Sequence, residues 1–303
     1  MMEMIEIEAF LAVVHEGQIT RAALLLHLSQ PAVSRRIETL ESELGVRLFE
    51  RLPQGVRLTA AGGAFRPHAE RIAAAATDAL RAIRDLDEAS SGQIAIALVG
   101  TLASTSLPRR LRLVRERFPA VRLTLRTARS DLVSQLVRQG EADVGLRYFL
   151  DPGPGLVSLP VGDEDLVVVA AADDPLASRS LVRPEYLAAI PWVSYPVGTA
   201  SSGEPFASLL RRQLGLIGVE PETMIEIDSL TAQKRLIEAG FGVGMVPLSA
   251  IAEEVRLGTL VVLPVPDLAA TVPIVAIHRR DGYLSPATRH LLATLRTGDG
   301  GET

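Results

Sequence analysis

No cysteine occurs in the 303 residues, which excludes disulfides and thiol chemistry and is compatible with the cytosol. No apolar run approaches the ~20 residues that a bilayer span needs, so no membrane partner is expected. The N-terminus, MMEMIEIEAF, carries Glu where a secretory leader would carry Lys or Arg. A cytoplasmic protein is expected. Catalytic apparatus is equally sparse. His15, His27, His68, His278 and His290 are scattered without metal-ligand spacing, so neither a metal nor a cofactor is expected. GTASSG around Ser201 has the wrong spacing for a nucleophile elbow. In GFGVGM, proline and a fresh strand follow instead of a phosphate-binding helix, and Gly240 reads as a helix C-cap. An enzyme is not expected. Positive charge is short as well: the net charge is −5, and residues 1–58 hold eight acids against six arginines.

What is present begins at Thr20–Arg36, TRAALLLHLSQPAVSRR. Two short helices joined by a tight turn fit this stretch. The first, Thr20 to Leu26, carries Ala22, Ala23 and Leu26, small enough for close helix approach. Ser29 is a good N-cap, and Pro31 falls in the first turn of the second helix, where its missing N–H costs nothing. Val33, Ile37, Leu40 and Leu44 then mark one buried face. That leaves Gln30, Ala32, Ser34 and Arg35 exposed at the helix start, the positions a helix-turn-helix offers to a DNA major groove. Before the pair, Ile7, Phe10, Leu11 and Val14 predict a capping helix. After it, two short strands around Pro53-Gln54-Gly55 read as a wing, with Arg51 and Arg57 placed to reach phosphate. Arg21, Arg35, Arg36, Arg51 and Arg57 on one face would offset the acidic balance locally.

The run AFLAVVHEGQITRAALLLHLSQPAVSRRIETLESELGVRLFER resembles the N-terminal domain of the LysR-type transcriptional regulators. The resemblance covers the first sixty residues without a gap. It implies that Gln30, Pro31, Ser34 and Arg35 meet DNA, with Ser29 at the head of their helix, and that Thr20 and Arg51 touch the phosphate backbone. It also implies a long linker helix and a two-lobed effector domain similar to periplasmic binding proteins.

From Thr59 to Glu88, Phe65, Ala69, Ile72, Ala76, Ala79, Ile83 and Leu86 alternate at steps of four and three, the seam of a coiled coil. A homodimer through these helices is expected, presenting two recognition helices to two half-sites. Pro67 should bend or delay the helix near Gly62-Gly63.

Ser90-Ser91-Gly92 reads as a hinge. Beyond it strands and helices alternate: GQIAIALVG, LPRRLRLVRERFP, VRLTLRT, SDLVSQLVRQG and ADVGLR form a βαβαβ pattern, hence a parallel sheet. DLVVVAAADD opens a second group, with strands at PWVSY, TMIEID, FGVGMV and TLVVLPV and helices near Glu204–Leu214 and Ser229–Ala239. TVPIVAIHR and a helix over Ser285–Arg296 return to the first lobe. Crossings near Asp163–Leu166 and Pro264–Asp267 make a clamp with a cleft. The fold expected is α/β: a winged helix-turn-helix domain over 1–58, a linker helix and hinge over 59–91, and an effector domain over 92–303. Lobe 1 takes about 92–164 and 266–303, and lobe 2 about 165–265.

Ligands in open α/β sheets bind beyond the carboxyl ends of strands. That rule selects Gly100, Thr101 and Ser104, then Thr127 to Ser130, then Arg147 and Tyr148. In the second lobe it selects Ser194 and Thr199 to Ser202. Hydroxyls and free N–H groups at helix starts suit a carboxylate or another small anion. The family resemblance implies effector contacts at the same loops, including Ser130 and Ser201. Ser104 as an N-cap, Arg147 paired to an acid and Asp228 as a cap are the structural alternatives. The function expected is a ligand-responsive regulator binding double-stranded operator DNA as a dimer of dimers, a homotetramer. The alternatives are a solute-binding module whose N-terminal helices only dimerise, and an enzyme on the same clamp.

Overall fold

The computed structural model describes residues 2–53, 55–87, 93–196 and 205–296. It divides into two compact units, one built on the residues up to Asp87 and one on most of those that follow.

In the first unit, α1 (Met4–Glu16) starts with Glu6 reaching back to the Glu3 N–H at 2.8 Å and ends on Gly17 in the left-handed region. α2 (Ile19–Leu25) begins one residue earlier than expected. α3 (Gln30–Leu44) is capped by Ser29, whose Oγ accepts the Ala32 N–H at 3.4 Å, and it ends at left-handed Gly45. Ala22, Ala23, Val33, Ile37 and Leu40 are buried together with Phe10 and Val13. Leu44, expected on the same face, is the last residue of the helix and is 38% exposed.

β1 (Phe49–Leu52) and β2 (Gly55–Leu58) form the antiparallel wing, Phe49 opposite Leu58. The Val56 N–H donates to the Gly17 carbonyl at 2.9 Å, so the wing closes back onto the end of α1. α4 (Ala60–Asp87) is a continuous 28-residue helix. Thr59 starts it, with Oγ1 accepting the Gly62 N–H at 3.0 Å and donating to the Arg47 carbonyl at 2.7 Å. The helix begins before Pro67, so the expected delay does not occur. The seam also needs correction in its first half. The Phe65 ring lies 5.1 Å from Phe10, and Ala69 is fully buried in the same core, so these positions pack within their own unit. Leu80 and Ile83, further along, are 58% and 62% exposed.

The second unit runs β3 (Gln93–Leu98), α5 (Leu107–Arg117), β4 (Arg122–Thr127), α6 (Ser130–Arg138), β5 (Val144–Tyr148), β6 (Leu156–Ala171), α7 (Pro184–Ala188), β7 (Trp192–Ser194), α8 (Pro205–Leu216), β8 (Met224–Glu226), α9 (Leu230–Glu238), β9 (Gly244–Pro247), α10 (Ala252–Leu257), β10 (Leu260–Val262), β11 (Ala270–Arg279) and α11 (Pro286–Arg296). β4, β3 and β5 are parallel neighbours, as the βαβαβ pattern implies, with β3 between the other two. β11 joins antiparallel to β5 and brings in β6.

β6 is where sequence and structure differ most. The expected strand starts at Asp165, but β6 starts at Leu156 and crosses Asp163–Leu166 without a break. Its first part pairs with β11, and its last part pairs with β9 and β10. The segment LVSLPVGDE carries Pro160 and Gly162, which read as strand breakers. Pairing with β11 overrides them, and a register shift at Ile274/Val275 absorbs the irregularity. One strand therefore spans the expected crossing and pairs on both sides of it. β7 pairs with β8 and touches the end of the main sheet through a Trp192–Val243 bridge. No described helix is long and apolar enough to cross a membrane.

Candidate functional site

The start of α3 presents its polar residues outward because its apolar residues are anchored. Val33, Ile37 and Leu40 are buried, while Gln30, Pro31 and Arg35 are exposed and Ser34 is half-buried on the adjoining turn. Thr20, Ser29 and Arg51 are exposed as well. Of the six arginines among residues 1–58, Arg47 pairs with Glu41 at 2.7 Å and Arg57 with Glu50 at 2.8 Å. Among the described residues Arg21, Arg35, Arg36 and Arg51 have no ion pair. Arg57, one of the two wing arginines placed to reach phosphate, pairs across the wing with Glu50. That hydrogen bond and charge hold the Glu50 carboxyl below its ordinary value and raise Arg57.

The second unit contains a cleft of about 620 Å³. Its wall takes Val99, Gly100, Thr101 and Ser104 from the turn after β3, and Thr127, Ala128 and Arg129 from the end of β4. It takes Tyr195 and Pro196 from the end of β7, and Asp228–Thr231 with Lys234 from the start of α9. All four segments follow the carboxyl ends of strands. The starts of α6 and α9 both border it, which favours negative charge.

The cleft thus gathers Gly100, Thr101 and Ser104 from the expected effector set. Three others lie elsewhere. Arg147 is buried, with Nη1 donating to Ser134 Oγ at 2.6 Å and to Asp151 Oδ2 at 2.8 Å, so the alternative of an acid partner describes it. Ser194 is buried and donates to the Tyr195 carbonyl at 3.1 Å. Ser130 is buried at the start of α6 and is not part of the wall. Thr199 and Ser201 lie outside the described residues.

Sequence reasoning missed Tyr195, Thr231 and Lys234, and took Asp228 only as a cap. Lys234 left one signal: it is the only lysine in the sequence. Its Nζ binds Glu254 Oε1 at 2.6 Å and the Ala250 carbonyl at 2.9 Å, which fixes it at the cleft edge. Arg129 is the other cation of the wall, 3.6 Å from Asp131 and largely exposed. Thr101 Oγ1 lies 2.9 Å from the Tyr148 hydroxyl.

Comparison with known proteins accords with this geometry. Residues 5–63 match the family described as bacterial regulatory helix-turn-helix protein, lysR family, and residues 87–299 match the LysR substrate binding domain. The HTH-type transcriptional regulator TfdS of Cupriavidus pinatubonensis (strain JMP 134 / LMG 1197) is 30% identical over 306 residues, covering 99% of each chain. The crystal structure of CbnR, a LysR family transcriptional regulator, superposes with a TM-score of 0.64 at 28% identity, covering 97% of this chain and 98% of that one. Full-length CbnR complexed with its target DNA superposes at 0.57 with 27% identity, covering 97% and 99%. The chain belongs to the LysR family of transcriptional regulators and carries that family's helix-turn-helix DNA-binding and effector-binding domains.

Proposed function

We propose that this regulator reads operator DNA with Gln30, Pro31, Ser34 and Arg35, headed by Ser29, and grips phosphate with Thr20 and Arg51. The observation that carries it is the start of α3, where these polar groups face solvent while Val33 and Ile37 hold the helix from behind. A helix serving only to dimerise has no use for that array. CbnR, similar over nearly its whole length, is a regulator seen with its target DNA.

The effector site is the cleft, with Gly100, Thr101 and Ser104 as members and a small anion as ligand. Arg129 and the starts of α6 and α9 support the charge preference. Dimerisation uses the second half of α4, where Leu80 and Ile83 are exposed, and two dimers form a tetramer. Residues 1–58, 59–91 and 92–303 serve as DNA-binding domain, linker and sensor. Lobe 1 takes about 92–164 and 266–303, and lobe 2 about 165–265. The protein works in the cytoplasm as a regulator, not an enzyme. Effector binding would shift the population between lobe arrangements, which requires unequal affinity for them.

The test is a gel-shift titration on duplex from the protein's own promoter region against unrelated duplex. Gln30→Ala and Ser34→Ala should lose sequence preference, each worth about 1–3 kcal/mol of discrimination, and keep nonspecific affinity. Equal retention of both kinds of binding would refute readout by α3. A thermal-shift screen of small carboxylates and amino acids tests the sensor half, and no stabilisation by any of them would refute the anion assignment.

A further inference from the structure

We propose that the cleft takes an aminocarboxylate, a small molecule carrying a carboxylate and an ammonium group, and that Asp228 selects the ammonium. This rests on the cleft being the effector site.

Three charged side chains line the wall: Arg129, Asp228 and Lys234. Lys234 is already balanced, with its Nζ 2.6 Å from Glu254 Oε1 and donating to the Ala250 carbonyl at 2.9 Å. That leaves Arg129 on the side built from the ends of β3 and β4, and Asp228 on the side built from β7 and α9. Among the described residues the Arg129 guanidinium makes no hydrogen bond. Its ionic neighbour Asp131, at 3.6 Å, is not part of the wall.

Asp228 does not cap α9. Ser229 does, its Oγ accepting the Ala232 N–H at 3.4 Å. The Asp228 carboxylate is exposed and, among the described residues, has neither a hydrogen bond nor an ion pair. A helix start carries only about half an elementary positive charge, so the start of α9 offsets this carboxylate in part.

The two sides of the cleft therefore differ in sign. A ligand carboxylate beside Arg129 also meets the hydroxyls of Thr101 and Ser104 and the start of α6. A ligand that is only a carboxylate faces Asp228 as an unbalanced like charge. An ammonium removes that repulsion and brings three N–H donors to a group that can only accept. At about 620 Å³ the cleft has room for both ends and a short carbon chain between them.

The test is calorimetric titration of the full-length protein with three matched pairs: γ-aminobutyrate and butyrate, L-leucine and 4-methylpentanoate, L-glutamate and glutarate. The wild type should bind at least one amino acid more tightly than its amine-free partner. Asp228→Asn, a change of charge at an exposed position, should lower that ratio about tenfold, the equivalent of one charge-assisted hydrogen bond. It should do so by weakening the amino acid and not the plain acid. Arg129→Gln should weaken both members of the pair and leave the ratio near that of the wild type. If each plain acid binds as tightly as its amino acid, the aminocarboxylate class is overturned and the cleft remains an anion site. An unchanged ratio in Asp228→Asn, or equal weakening of both members, overturns the role of Asp228. If the wild type binds none of the six compounds, the anion assignment falls and this inference with it.

Discussion

The Glu41 carboxylate accepts the Leu48 backbone N–H at 2.8 Å, joining the last turn of α3 to the strand that opens the wing. The same carboxylate takes the Phe49 N–H at 3.2 Å and Arg47 Nη1 at 2.7 Å. An acid counted against DNA binding by charge alone is therefore a structural tie. Glu41→Ala strands a buried N–H and should cost about 2–3 kcal/mol in urea unfolding. A variant as stable as the wild type would contradict this account.

Two adjacent glycines at the start of α4 should respond in opposite directions. A Cβ on Gly62 would run into the Leu48 carbonyl and the Leu58 side chain, whereas one on Gly63 would meet open space. Gly62→Ala should destabilise by about 1–3 kcal/mol. Gly63→Ala should stabilise by about 0.5–1 kcal/mol, since a helix interior favours alanine. Thermal unfolding of both variants checks the pair, and a shared sign would show that the helix start is placed otherwise.

Glu50 and Arg57 lie opposite each other on the wing and pair at 2.8 Å. The folded-state Glu50 carboxyl is lowered, so any stability the pair adds is present above the unfolded carboxylate value and is lost as pH falls through the folded one. Near neutral pH Glu50 stays ionised and Arg57 stays engaged. Glu50→Gln should tighten binding to any duplex and steepen the salt dependence by up to about one phosphate contact. Fluorescence anisotropy across a salt series measures it. An unaltered slope would mean the wing stays off the backbone.

Leu80 and Ile83 lie exposed beyond the part of α4 that packs on its own domain. Leu80→Glu combined with Ile83→Glu should raise the dimer dissociation constant without lowering the melting temperature of the N-terminal unit. Sedimentation equilibrium decides. Unchanged association would move the dimer contact off this face.

Lys234 offers a reporter because the sequence contains no second lysine. Reductive methylation with ¹³C-formaldehyde keeps its charge. The label should give one side-chain amine signal besides the terminal amine. That signal should shift on saturation with a carboxylate that stabilises the protein. Stabilisation with a stationary Lys234 signal would place the ligand elsewhere.

Much of this was legible from residue order. Ser29, Pro31 and the Val33–Ile37–Leu40 spacing specify α3 locally, since capping, ring geometry and helical period act within a few residues. The strand-end rule pointed to Thr101 and Ser104, which line the cleft, for the same reason: a turn after a strand is a local feature. Arg147 misled because the rule places a residue at a strand end without saying which way it is tied. Asp151 and Ser134 settle that through packing.

Residue order alone specifies the capped helix α3, its wing, the alternation of strands and helices, and the family. Each depends on short-range chemistry that the chain cannot escape. Long-range packing sets the rest: β6 runs unbroken through Asp163–Leu166, Phe65 joins the core of the first unit, and Tyr148 meets Thr101. Those are pairings between residues far apart in the chain. They are chosen by which buried surfaces fit and which buried polar groups find partners, and neither is written in any local stretch.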